Sequence, residues 1–304
     1  MTIRTVAVIG ASGNVGAPTV KALLSAGFKV TAVTRESSNS TFPNEVEVRK
    51  ADLTSVESLT KAFAGQDAVV VAVATEAVGG QDVFTDAAIV AGVKRIIPSE
   101  FGHNTRPGKM SYPPLAALLA AKTKAVDYII EKTKSHPELT WTGIATDPFF
   151  DWCLDLGIFG IDLKNKTMRI LDSGNEPVSS SSLAFVAASV VAVLQHEKET
   201  ANKYLNVAEF TVTQNEVLKI FEEETGAKFT VTHGKTADLE KLGQEKLARH
   251  DYSAFVEFLL AYNFHDGRGH AVKPEDTAND LLGLKRGNLR EALREYIKAK
   301  TVLN

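Results

Sequence analysis

The stretch TVAVIGASGNVG (residues 5–16) decides the fold. A short apolar run leads into glycines at positions 10, 13 and 16, spaced G-x-x-G-x-x-G, and then into APTVKALLSAG (17–27), a helical pattern closed by Gly27. A buried strand feeding a glycine turn and a helix is the first half of a βαβ unit. Gly10 permits the tight turn, Gly13 lets the main chain approach a pyrophosphate, and Gly16 lets the helix pack close on the strand. Ala11, Ser12, Asn14 and Val15 complete the turn, and the helix N-terminus offers amide donors and positive partial charge to a phosphate. Such a turn can merely join a strand to a helix. At the first βα junction of a chain it reads as a dinucleotide site.

The pattern repeats outward. Strands are expected at 29–35, 46–53, 67–75, 94–102 (with its exit loop) and 139–146, and helices at 55–66 and 81–93. Strands alternating with helices give right-handed βαβ units and a parallel sheet covered on both faces. Residues 1–147 therefore form one expected nucleotide-binding domain. After it the pattern loosens into aromatics, glycines and short apolar runs. The helix LAFVAASVVAVLQHEKE and the strand KYLNVAEF, inside 179–208, can rejoin the sheet. The remainder of 148–304 reads as a smaller, mostly helical substrate lobe over the C-terminal edge of the strands, where open α/β sheets bind ligands.

Composition narrows the partners. The 304 residues are 44% hydrophobic and 23% charged, with a net charge of −3, which supplies no basic field for nucleic acid or an anionic membrane. The single cysteine, Cys153, excludes an internal disulfide and fits a reducing, cytoplasmic setting. The N-terminal residues run straight into the glycine motif instead of a signal peptide, no apolar run is long enough to span a bilayer, and KAKTVLN (298–304) carries no prenylation cysteine.

The end of the second strand chooses the cofactor. An acidic residue there binds a ribose 2′-hydroxyl, whereas an arginine accommodates a 2′-phosphate. Here Thr34 is followed by Arg35, which favours NADP(H), although a solvated arginine beside Glu36 is the competing reading. Asp52, at the end of the third strand, either meets the adenine or caps the next helix.

Four stretches, AVTRESS (32–38), ADLTSVESLTKAF (51–63), AGVKRIIPSEFG (91–102) and FTVTQNEVLKIFEEETG (210–226), resemble the isoflavone reductase-like, NmrA-related branch of the atypical short-chain dehydrogenases, most of all its fungal members. The resemblance runs over nearly the whole chain, and PSEFG (98–102) is its most specific element. It implies a Rossmann-type α/β domain with a small C-terminal substrate lobe, NADPH as hydride donor, and a small aromatic, often phenolic, substrate. NmrA-type relatives that sense dinucleotide without catalysis are the alternative. Either a monomer or a homodimer is compatible with it.

YIIEK (128–132) carries the tyrosine and lysine, four apart, of ordinary short-chain dehydrogenases. Position argues against it. The catalytic lysine of such folds stands four or five helical turns ahead of the sixth strand, whereas Lys132 stands only eight residues ahead of Thr140, at a helix C-terminus where a lysine meets the dipole. Lys122 stands eighteen residues ahead, with Leu118 where the tyrosine would be. A lysine without its tyrosine is the arrangement of the isoflavone reductase-like enzymes, so the resemblance makes Lys122 the proton shuttle and a neighbour of the nicotinamide. Lys124 is the runner-up, about 200° away around the helix.

His103, after PSEFG, is a candidate substrate contact or a solvated loop residue. Phe149 can pack near the nicotinamide, and Phe150 and Trp152 can meet the substrate; core packing explains them equally well. Ser99 either orders its loop or touches a ligand. HDGRGH (265–270) reads as a glycine turn, and no metal site is expected there or elsewhere.

Overall fold

The computed structural model describes residues 2–74 and 79–302; the last residue of the expected fourth strand, residue 75, lies outside them. The chain runs β1 (Thr5–Ile9), α1 (Gly16–Ser25), β2 (Lys29–Arg35), β3 (Glu47–Ala51), α2 (Val56–Phe63), β4 (Ala68–Val71), α3 (Gln81–Val90), β5 (Arg95–Ile97), α4 (Pro113–Leu118), α5 (Ala120–Ser135) and β6 (Thr140–Ala145). Then follow α6 (Phe150–Asp155), β7 (Ile161–Asp162), β8 (Thr167–Leu171), β9 (Val178–Ser180), α7 (Leu183–Gln195), α8 (Glu197–Thr200), β10 (Lys203–Asn206) and β11 (Phe210–Val212). The last elements are α9 (Gln214–Thr225), β12 (Thr230–Gly234), α10 (Thr236–Ala248), α11 (Ala254–Phe264) and α12 (Leu289–Val302).

Seven parallel strands form one sheet in the order β10-β6-β5-β4-β1-β2-β3. The expected Rossmann-type α/β fold is the one observed. Along β1, Val6 and Val8 pack with residues of α1 and α7 on one face, while Ala7 and Ile9 pack with residues of α2, α3 and α5 on the other. Both faces are buried, which is why the strand reads as a continuous apolar run instead of an alternating one. The strand order reverses between β1 and β4, so the crevice above their C-terminal ends is the topological switch point, the general ligand position of such sheets.

The chain leaves this sheet after Ala145 and returns to it through β10, which pairs with β6. Buried Arg95 pins the return, since its guanidinium donates to Thr140, Thr142, Thr200 and the Glu197 carbonyl. A third apolar cluster lies away from the sheet, built on Phe150, Phe159, Phe221, Phe258 and Phe264. Helices are only part of that region. The 148–304 stretch also holds a three-stranded sheet, β12-β8-β7, and an antiparallel pair, β11-β9, which the expectation of a mostly helical lobe did not include. The strands of the three-stranded sheet are short, and β8 pairs with β12 across some sixty residues, so neither period nor turn chemistry marks them locally. No helix among the described residues is long and apolar enough to cross a membrane.

Candidate active site

The glycine turn is built as tightly as its spacing demands. Gly10 has φ +75°, and a Cβ there would stand 2.2 Å from the Ala72 carbonyl oxygen at the exit of β4. A Cβ on Gly16 would stand 2.0 Å from the Gly10 carbonyl oxygen, to which the Gly13 amide donates at 2.9 Å. Ala11 is buried beneath the turn, Val15 is half-buried, and Ser12, Gly13 and Asn14 face outward at the N-terminus of α1. The residues present fit a pyrophosphate: an open face of main-chain and small polar groups over a helix start, beside the switch point.

Arg35 ends β2, exposed, next to Thr34, whose buried hydroxyl has no partner within the chain. Lys50 reaches across to the Glu36 carbonyl at 3.0 Å, and Ser40 donates to Ser12 at 3.1 Å, so cationic and hydroxyl groups gather at this corner. Asp52 is exposed and closes a turn, accepting from the Thr54 amide (2.9 Å) and hydroxyl (2.7 Å). Those bonds hold its carboxyl below the ordinary range. The cap of α2 is Ser55, not Asp52.

Lys122 lies in the first turn of α5, 9% exposed, and its Nζ donates to the Glu100 main-chain carbonyl at 2.5 Å. Burial lowers the amine from its ordinary value, and the Glu100 charge opposes that fall. Lys124 points to solvent. Ser99 orders the loop after β5, since its hydroxyl donates to the Val73 carbonyl and its amide to the Gln81 side chain, both at 2.8 Å.

Tyr128 and Lys132 are occupied elsewhere. Both engage Asp86 of α3 at 2.9 Å, and the ammonium sits 5.0 Å above the tyrosine ring. Hydrogen bonds to Tyr128 and Asp86 hold Lys132 above its ordinary value, and burial together with Asp86 outweighs Lys132 to raise the phenol. A proton-donating tyrosine needs the opposite shift.

His103 is buried, with Nδ1 2.9 Å from Asp147 Oδ1 and Nε2 without a partner. Asp147, just past β6, has φ +55°, an uncommon conformation for a residue with a side chain. Tyr262 packs edge-on to His103 at 4.9 Å, and His270 lies 4.5 Å from Tyr262 and 6.0 Å from His103. His270 comes from the HDGRGH stretch. Glu176 grips that stretch by accepting the amides of Gly267 and Gly269, both at 2.7 Å, where φ is +78° and +64°. Burial, then the neighbouring His103 and Arg268, drive the His270 imidazole down to about 3, and both its nitrogens are buried without partners.

Phe149 is half-buried at the start of α6 and meets the Trp152 ring at 6.3 Å. Phe150 turns the other way, 2% exposed against Phe159 and Phe210, and Trp152 is 39% exposed. The structure thus brings His103, Asp147, Tyr262 and His270 together and ties Lys122 to Glu100, while Phe150 belongs to the apolar cluster of the 148–304 region. Asp147, Glu100, Tyr262 and His270 carried no sequence signal of their own beyond PSEFG and the paired histidines of HDGRGH. Among the described residues no group of three or more His, Cys, Asp and Glu is placed to hold a metal.

Residues 2–266 match the profile of the NmrA-like family. Oxidoreductase poxI of Penicillium oxalicum is 34% identical over 292 residues, covering 95% of this chain and 92% of that protein. Oxidoreductase aprR of Aspergillus flavus is 32% identical over 302 residues, 98% of this chain and all (100%) of that protein. The solved structure of AtPrR2 with NADP+ and (+)pinoresinol shares the fold, with a TM-score of 0.76 at 23% identity over 97% of this chain and 99% of that one. A glycine turn at the switch point, a buried lysine behind PSEFG and these likenesses agree: the chain belongs to the NmrA-like family.

Proposed function

We propose that this chain reduces a small aromatic or phenolic secondary metabolite at the expense of NADPH, with Lys122 as the proton shuttle. It is an NADP-dependent oxidoreductase: two fungal relatives are named oxidoreductases, and the AtPrR2 structure of the same fold holds NADP+. The observation that carries the finer reading is the burial of the Lys122 amine at the edge where the sheet binds ligands, held by one carbonyl and lowered in basicity. In water a lysine titrates near 10.4 and is a poor base at neutral pH; a lowered value makes it useful.

When bound, NADPH supplies the hydride. The turn from Gly10 to Gly16 would hold its pyrophosphate, Arg35 its 2′-phosphate and Phe149 the side of its nicotinamide, with Asp52 at the adenine end. Lys122 gives a proton from Nζ to a substrate oxygen as negative charge develops there, or takes one from a phenol in the reverse direction. His103, with Nδ1 turned to Asp147, keeps Nε2 for a substrate hydroxyl. Tyr262 and His270 complete an aromatic wall suited to a flat ring. Trp152 and Phe150, expected at the substrate, are given no contact in this reading, because one faces solvent and the other the apolar cluster.

The test is NADPH oxidation with a panel of phenolic and quinonoid compounds, alongside fluorescence titration of NADPH. Turnover of a panel member supports the reductase. Tight NADPH binding with no turnover across the panel favours a dinucleotide sensor and a search for protein partners.

A further inference from the structure

PSEFG contains a carboxylate to which the reading above gives no task. Glu100 follows β5, and its side chain is fully buried, at 0% exposure. One carboxylate oxygen accepts from the Thr105 hydroxyl and the Tyr204 phenol, each at 2.6 Å; the other is buried with no partner. The Tyr204 ring is itself fixed, lying so close over Gly143 of β6 that a Cβ there would stand 2.5 Å from it. A buried carboxylate is costly unless its surroundings use it, and a loop that needed only shape would be served as well by a neutral residue.

We propose that Glu100 is the positioning residue for Lys122. Tyr204 and Thr105 clamp its side chain, the clamp fixes the carbonyl that holds the lysine amine, and the carboxylate is the negative charge facing that amine. This rests on the assignment of Lys122 made above. Two opposing effects then set the amine. Burial disfavours its charged form, and Glu100 restores part of it. The other charged groups nearby are engaged elsewhere or point away. His103 is held by Asp147, Arg106 is paired with Asp127 at 2.7 Å on the exposed side of α5, and Lys124 faces solvent. Tyr204, the remaining titratable neighbour, stays neutral, its phenol raised by burial and then by Glu100.

Competitive acetylation with acetic anhydride from about pH 6 to about pH 10, read by mass spectrometry with Lys124 and Lys132 as internal references, reports the basicity and accessibility of Lys122 without any substrate. In Glu100→Gln the Lys122 midpoint should fall by roughly one pH unit or more, and Glu100→Asp should restore most of it. In Tyr204→Phe, which keeps the ring and its packing, Lys122 labelling relative to Lys124 should rise severalfold at fixed pH. A purely structural role predicts lower melting temperatures with no change at Lys122. An unchanged midpoint in folded Glu100→Gln, or an unchanged ratio in Tyr204→Phe, overturns the inference. If the reagent reaches Lys122 in no variant at any pH, the assignment of Lys122 itself falls; loss of Glu100 coupling alone leaves that assignment standing.

Discussion

His103 and Asp147, forty-four residues apart, meet at 2.9 Å in a buried pair, and the histidine is left with one ring nitrogen free. A carboxylate on Nδ1 fixes both tautomer and ring direction, which is how a buried imidazole is aimed at a ligand. Asp147→Asn should therefore lower kcat/KM by roughly tenfold or more, since a mis-set tautomer misplaces the acceptor, with NADPH affinity unchanged. Steady-state kinetics on whichever panel compound is reduced measures this. Loss of NADPH binding in the same variant would assign the pair to cofactor binding instead.

The corner formed by Thr34, Arg35, Lys50 and Ser40 bears on cofactor choice. NADPH should bind more tightly than NADH, and Arg35→Ala should remove most of that difference, a charge-assisted contact worth about 1.5–3 kcal/mol. Fluorescence titration with both cofactors gives the answer. Equal affinities in the parent protein would release Arg35 from this role.

His270 makes stability depend on pH. Its imidazole titrates at about 3 in the folded protein against 6.5 for the free group, so the unfolded chain binds the extra proton. Keeping it neutral costs nothing above pH 6.5, and the folded state loses stability progressively as pH falls from 6.5 toward 3. Urea unfolding should show His270→Gln losing less stability than the parent between about pH 7 and about pH 5. Parallel pH profiles for the two proteins would place the acid sensitivity elsewhere.

What could be read in advance was what is local. The turn from Gly10 to Gly16 needs glycine at both ends, because a Cβ on Gly10 would strike the Ala72 carbonyl and one on Gly16 the Gly10 carbonyl, so spacing alone reveals it. The sheet was legible because both faces of β1 are buried and its apolar run has no polar interruptions. The wall around His103 was not legible. Asp147 is brought to it by the exit of β6, and His270 by a grip between Glu176 and amides more than ninety residues further on. No pattern within a window of ordinary length contains such a contact. The aromatic triplet after β6 shows the same limit, for Phe149 and Phe150 are adjacent yet turn to different surroundings.

The most direct test is NADPH oxidation by Lys122→Ala beside Tyr128→Phe and Lys132→Ala, with NADPH affinity measured on the same samples. The Tyr128 and Lys132 side chains are held on Asp86, away from the Lys122 contact with Glu100. Lys122→Ala should lose about 10²–10⁴ in rate while still binding NADPH, and the other two variants should stay near the parent rate. A Lys122→Ala enzyme that turns over normally while Tyr128→Phe is inactive would contradict the assignment of the proton shuttle.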